Sequence, residues 1–170
     1  MKTVILVFLL LGSALTIFAG SPATEIKSNP GFDKIKSLEG SWTGKDDEGK
    51  IVTLEYKIVS AGTALMESLN MEDHPDAMVT MYHIDKDKLM MTHYCSMGNQ
   101  PRMKAGKMSD NGSTISFSMV DATNLASKND AHMSKLVVMF KDKDHFSQEW
   151  TMMQGGKVNH VAKFEFERTK

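Results

Sequence analysis

The chain predicts an all-β fold, an antiparallel up-and-down barrel of about ten strands with a short N-terminal helix. Three observations predict it. Strand-length runs with period-two alternation recur from Gly40 to Arg168. Short hairpin signals separate most of them, so successive strands pair with their neighbours. The series opens with Gly40-Ser41-Trp42-Thr43-Gly44 and closes with Phe164-Glu165-Phe166-Glu167-Arg168, and alternating strands from end to end describe one barrel.

Residues 1–23 read as a signal peptide. Lys2 supplies the positive start, Val4 to Phe18 is apolar but for Gly12, Ser13 and Thr16, and Ala19-Gly20-Ser21-Pro22-Ala23 offers small residues for cleavage. The run is too short for a permanent membrane helix. The expected mature chain is exported, to the periplasm or the outside medium, and carries no integral membrane segment. Residues 24–39 read as a leader and a short helix. Phe32, Ile35 and Leu38 share helical spacing after Pro30, and such a helix can plug one barrel end.

Residues 40–170 form the barrel domain. From Ile51 to Val59, Val52, Leu54, Tyr56 and Ile58 oppose Thr53, Glu55 and Lys57. From Thr114 to Val120, Ile115, Phe117 and Met119 oppose Thr114, Ser116 and Ser118. Phe146, Gln148, Trp150 and Met152 oppose Ser147, Glu149 and Thr151. His160, Ala162, Phe164, Phe166 and Arg168 oppose Val161, Lys163, Glu165 and Glu167. This is the pattern of a sheet with one buried face. Turns are predicted at Asp47-Glu48-Gly49, Ser60-Ala61-Gly62, Asp85-Lys86-Asp87, Asp110-Asn111-Gly112, Asp142-Lys143-Asp144 and Gln154-Gly155-Gly156. Two longer connections interrupt the meander, Ser96 to Pro101 and Asp121 to Ala131. A helical turn is expected over Ala122 to Ser127 in the second.

Twenty basic residues stand against 21 acidic ones, for a formal net charge of −1. The charges are interspersed, which leaves no footprint for nucleic acid or anionic lipid. Cys95 is the single cysteine, so no intrachain disulfide supports the fold, and a buried thiol behaves as a small hydrophobe. The 15 methionines are scattered through strands. They read as adaptable core or as the lining of a pliable cavity, with thioether copper binding as the alternative.

Gly40-x-Trp42 on a first strand with an Arg on the last resembles the lipocalin, fatty-acid-binding and related calycin barrels. The resemblance implies a calycin-like barrel in which Trp42 fills one end and Arg168 packs over it as a cation–π pair. The stretches Thr92 to Met103 and Asp144 to Thr151 resemble uncharacterised exported bacterial proteins with lipocalin-like domains, a group that brings no activity with it. Gly40-Ser41-Trp42-Thr43-Gly44-Lys45 is also similar to the Gly-x-Trp-x-Gly-x-Gly opening of nitrobindins, which are ten-stranded haem barrels. Asp46 stands where their last Gly falls, and His160 lies near their haem-ligating His. That resemblance implies haem as a cofactor, with His160 as axial ligand.

Candidate ligand-binding residues are Tyr56, His93, Cys95, Asn99, Arg102, Trp150 and His160. His160 shares the apolar face of its strand, as an iron ligand or as a core histidine near the barrel mouth. His93 and Cys95 lie two apart on one strand and share a face. As metal ligands they would need help from His83, His132 or His145; as base and nucleophile they lack an evident orienting group. A hairpin at Lys86-Asp87 pairs Thr80 with His93 and Tyr82 with Met91 on that same face. Which face points inward is left open by the density of methionine. Asn99, Gln100 and Arg102 occupy a longer loop at a strand end, and Arg102 can hold a carboxylate or phosphate as a fork. Tyr56 needs a partner for its hydroxyl inside the barrel. Glu67 alternates with Leu65 and Leu69, and pointed inward it would be a buried carboxyl with a raised pKa. The expected function is non-catalytic binding of a small, largely apolar molecule inside the barrel. The alternatives are haem binding at His160, an enzyme using interior acid–base groups, and an interaction module with a filled barrel.

Overall fold

The computed structural model describes residues 28–72 and 74–170. The signal peptide expected over residues 1–23 lies outside them. Helix α1 spans Pro30–Lys36. It starts there because the Asn29 side chain accepts the Phe32 amide at 3.0 Å and Pro30 occupies the first turn, where no amide is needed. Asn29 also donates to the Asp87 carbonyl at 3.0 Å, which pins the helix to a barrel turn. Phe32, Ile35 and the following Leu38 are buried.

Ten strands follow: β1 Gly40–Lys45, β2 Ile51–Val59, β3 Ala64–Met71, β4 Met78–Asp85, β5 Lys88–Tyr94, β6 Gln100–Ala105, β7 Thr114–Thr123, β8 His132–Phe140, β9 His145–Gln154 and β10 Lys157–Arg168. Each pairs antiparallel with its sequence neighbour, and β1 closes the barrel by pairing with both β2 and β10. Trp42 sits between Leu54 on one side and Arg168 on the other. No described helix is long and apolar enough to cross a membrane.

The predicted turns fall between strands. Gly155 and Gly156, at φ 59° and 75°, make the tight β9–β10 hairpin, where residues with a Cβ would be strained. Gly44 is required for another reason. A Cβ there would lie 2.2 Å from the Glu165 carbonyl and 2.6 Å from the Phe166 ring, so β1 approaches β10 only because the side chain is absent. Gly44→Ala is expected to cost about 1–3 kcal/mol, read as a lower urea midpoint. An unchanged midpoint would show that the seam relaxes freely.

The helical turn expected over Ala122 to Ser127 does not form. β7 instead runs on to Thr123 and pairs Asp121, Ala122 and Thr123 with Arg102, Pro101 and Gln100 of β6. Ladder hydrogen bonds and the Arg102–Asp121 ion pair outweigh the local helical preference. β10 begins three residues earlier than the alternation suggested, with an irregularity between Val158 and His160.

The two barrel ends differ. One carries α1 and the connections 60–63, 86–87, 106–113 and 141–144; the other carries 46–50, 72–77, 95–99, 124–131 and 155–156. At the first end, the Trp42 indole donates to the Leu38 carbonyl at 2.7 Å and meets Phe146 edge-on at 4.7 Å. The Arg168 guanidinium lies 4.1 Å from the Trp42 ring and donates to the Glu39 and Ser37 carbonyls at 2.8 and 3.1 Å. This end is therefore sealed by the helix, the indole and the guanidinium. The barrel middle is filled by Met91, Met103, Phe117 and Leu136, all fully buried. More than eight strands make a barrel too wide for small side chains to fill, and long residues do that filling here.

Candidate functional site

β5 turns Leu89, Met91 and His93 inward, and Cys95 just past its end is buried as well, which decides the face that methionine density left open. The register pairs Thr80 with His93 and Tyr82 with Met91, as the Lys86-Asp87 hairpin predicts. Tyr56 pairs with Glu67 across β2 and β3. Tyr56 is on an inward face, so Glu67 also points inward, 1% exposed.

Glu67 is the hub of a buried polar layer. Its Oε2 accepts from Tyr56 at 2.6 Å, Tyr82 at 2.8 Å and the Gln148 amide at 3.0 Å. Its Oε1 faces Thr80 Oγ1 at 3.4 Å. The Trp150 indole donates to Gln148 Oε1 at 2.9 Å, which fixes the amide so that its NH2 must face Glu67 and the Tyr56 oxygen, 2.9 Å away. Burial raises the Glu67 carboxyl above its ordinary range, and the converging donors only partly offset this. Burial, with the Glu67 charge behind it, raises both phenols well above theirs, so they stay protonated donors.

Thr80 links this layer to His93. Its hydroxyl lies 3.0 Å from His93 Nδ1. His93 is 4% exposed, and its ring packs against Trp150 with centroids 4.5 Å apart. Desolvation lowers its pKa to about 4, so the imidazole is neutral at ordinary pH.

Past His93, at the end away from α1, the barrel opens into a cavity of about 260 Å³. Leu69, Met78, Met133, Trp150, Met152 and Phe164 supply its apolar wall, and His93 and Cys95 also line it. With Nδ1 engaged by Thr80, Nε2 of His93 has no hydrogen-bond partner among the described residues and is left for whatever occupies the cavity.

The structure brings His93, Cys95, Trp150 and His160 to this one cavity. Tyr56 is buried below it, in the Glu67 layer. His160 stands exposed at the mouth, with His74 also on the lining. Cys95 is buried, and desolvation pushes its thiol up, away from thiolate character. Asn99 is buried outside the lining; its amide donates to the Ala131 carbonyl at 2.9 Å and its Oδ1 is unpartnered. Arg102 points outward into solvent and forms a fork with Asp121, its Nε at 2.6 Å from Oδ1. Its loop position thus becomes a strand position on the outer face, away from the cavity. The metal helpers do not converge on His93 and Cys95. His83 lies on β4 opposite Ala64 and Met90, His132 bonds the Asp130 carbonyl and His145 bonds Asp142. Among the described residues no three His, Cys, Asp or Glu side chains group to hold a metal ion.

Sequence reasoning missed Gln148 as a site residue and left Glu67 open. The Ser60-Ala61-Gly62 turn was the available signal, because pairing outward from it sets Glu67 opposite Tyr56.

Fold and polar layer together define a closed ten-stranded antiparallel barrel with one sealed end and one apolar end cavity over a buried carboxyl. A protein of unknown function from the DUF3598 family of Nostoc punctiforme PCC 73102 has a similar fold, with TM-score 0.53 at 13% sequence identity over 79% of this chain and 49% of that one. The chain spans about half the length of that protein. No protein-family model matches the sequence, and no curated protein does.

Proposed function

We propose that this protein is an exported, non-catalytic binder of one small, largely apolar molecule in the end cavity. One observation carries the reading: an apolar cavity with a neutral, buried imidazole whose free nitrogen is its polar anchor. The leader-like run from Val4 to Phe18 supports export. The calycin resemblance, in which barrels of this kind carry ligands, supports binding by analogy. At about 260 Å³ the cavity is just under the range of about 300–1,000 Å³ usual for drug-sized ligands, so its occupant is compact. A porphyrin exceeds that space, and His160 stands at the rim rather than over an enclosed plane. The cavity as it stands does not fit haem.

Native mass spectrometry of the mature protein, purified gently and again after incubation with host extract, tests the reading. A discrete small-molecule mass is expected, lost on denaturation. Ala162 lines the cavity, so Ala162→Phe should fill it and abolish the adduct while the barrel stays folded. A bare protein mass under both conditions would overturn the reading, as would an adduct that Ala162→Phe leaves intact.

A further inference from the structure

The buried layer does more than support His93. We propose that Glu67, acting through Thr80, sets the tautomer of His93 and so decides whether the cavity anchors a hydrogen-bond donor or a hydrogen-bond acceptor. The inference deepens the binding reading and rests on it for its ligand class.

The proton count on each atom carries the inference. Tyr56, Tyr82 and Gln148 all direct their hydrogens at Oε2 of Glu67. That oxygen has no room for a proton of its own, so Glu67 protonates on Oε1, which faces Thr80. Thr80 has one hydroxyl hydrogen and lies between Oε1 and His93 Nδ1. With Glu67 ionised, Thr80 donates to Oε1 and must accept from Nδ1–H. His93 Nε2 is then a bare lone pair facing the cavity. With Glu67 protonated, Oε1–H donates to Thr80, Thr80 donates to Nδ1, and the ring hydrogen moves to Nε2. One proton gained by the carboxyl thus changes the cavity anchor from acceptor to donor, with no change in the charge on the imidazole. An ionised layer selects apolar alcohols and phenols; a protonated one selects apolar ketones and aldehydes.

Few other groups interfere. Glu67 is faced by Tyr56 from β2, by Thr80 and Tyr82 from β4 and by Gln148 from β9. His93 meets Thr80 and Trp150. The titratable groups sharing the cavity are Cys95 in the β5–β6 connection, His160 on β10 and His74 in the β3–β4 connection. The imidazole itself gains charge only near pH 4, while the carboxyl titrates above its ordinary value of 4.5. A pH interval therefore exists in which Glu67 is protonated and His93 is still neutral.

The test is nitrogen NMR of the ligand-free mature protein carrying ¹⁵N-labelled histidine, with His93 assigned by its loss in His93→Leu. At alkaline pH, Nδ1 is expected to be pyrrole-like and Nε2 pyridine-like. The two should exchange character as pH falls through the Glu67 titration. Thr80→Val should abolish the exchange. Glu67→Gln, which presents an amide NH2 to Thr80 and a carbonyl to the phenols, should hold the Nε2–H form at every pH above the titration of the imidazole itself. At alkaline pH, Glu67→Gln should bind p-cresol about tenfold more weakly than the wild type and acetophenone more tightly. A His93 tautomer that ignores pH above its own titration overturns the proposal, as does an exchange that survives Thr80→Val. Because the resonances are read without ligand, a protein that takes neither probe and no native ligand overturns the binding reading alone.

Discussion

Trp42→Ala is expected to destabilise the barrel by about 3–5 kcal/mol. The side chain is 1% exposed and is the keystone of the sealed end. Its removal leaves a void beside Phe146 and deletes an edge-to-face contact. It also strips the ring from beneath the Arg168 guanidinium and leaves the Leu38 carbonyl without its indole donor. Arg168 then holds the end of α1 through the Ser37 and Glu39 carbonyls alone. The loss should appear in urea unfolding as a lower midpoint at nearly constant slope. A loss under about 1 kcal/mol, the size of a surface substitution, would show that the sealed end contributes little to the fold.

Glu67→Leu is expected to cost about 2–5 kcal/mol, although it removes a buried carboxyl that is itself expensive to ionise. The decisive cost falls on the partners. Tyr56, Tyr82 and Gln148 keep their hydrogens and lose the oxygen at which all three point. Glu67→Gln retains an acceptor of the same shape and should lose much less. The two variants also differ from the wild type in pH dependence. The folded carboxyl has a pKa above its unfolded value, so the folded state holds that proton more tightly. Its contribution to stability is greatest below the unfolded value, near 4.5. The contribution falls as pH rises towards the folded value and is level above it. Subtracting the Glu67→Gln curve from the wild-type curve isolates this slope. A difference curve that rises with pH would mean that the donors outweigh desolvation and hold the carboxyl below its ordinary value.

Much of this arrangement is local and therefore legible in the residues. Period two follows from the strand backbone, and short Gly-, Asp- and Asn-containing turns set hairpin register. Hence the Thr80–His93 and Tyr82–Met91 pairs, two residues of β4 opposite two of β5, follow from a single turn. Trp42 and Arg168, at opposite ends of the chain, could be placed together only through the calycin resemblance, and they meet at 4.1 Å. Arg102 shows the limit of a loop-based reading. Its position near a strand end suggested recognition, but β6 begins at Gln100 and turns the guanidinium outward to Asp121.

The strands, their order, the antiparallel pairing and the helix before them are legible in the residues alone, because each depends on neighbours a few residues apart. The arrangement of the barrel interior depends instead on contacts between strands far apart in the chain. Closing β1 on β10 brings Gln148 to Glu67 across a separation of 81 residues. It fills the middle with Met, Phe and Leu, and it leaves an apolar cavity at the end away from α1. Alternation assigns a residue to a face but not to a depth, so His160 shares the inward face and still lies exposed at the mouth. The partners of buried polar groups come from strands far apart in the chain, and barrel curvature sets how near they come.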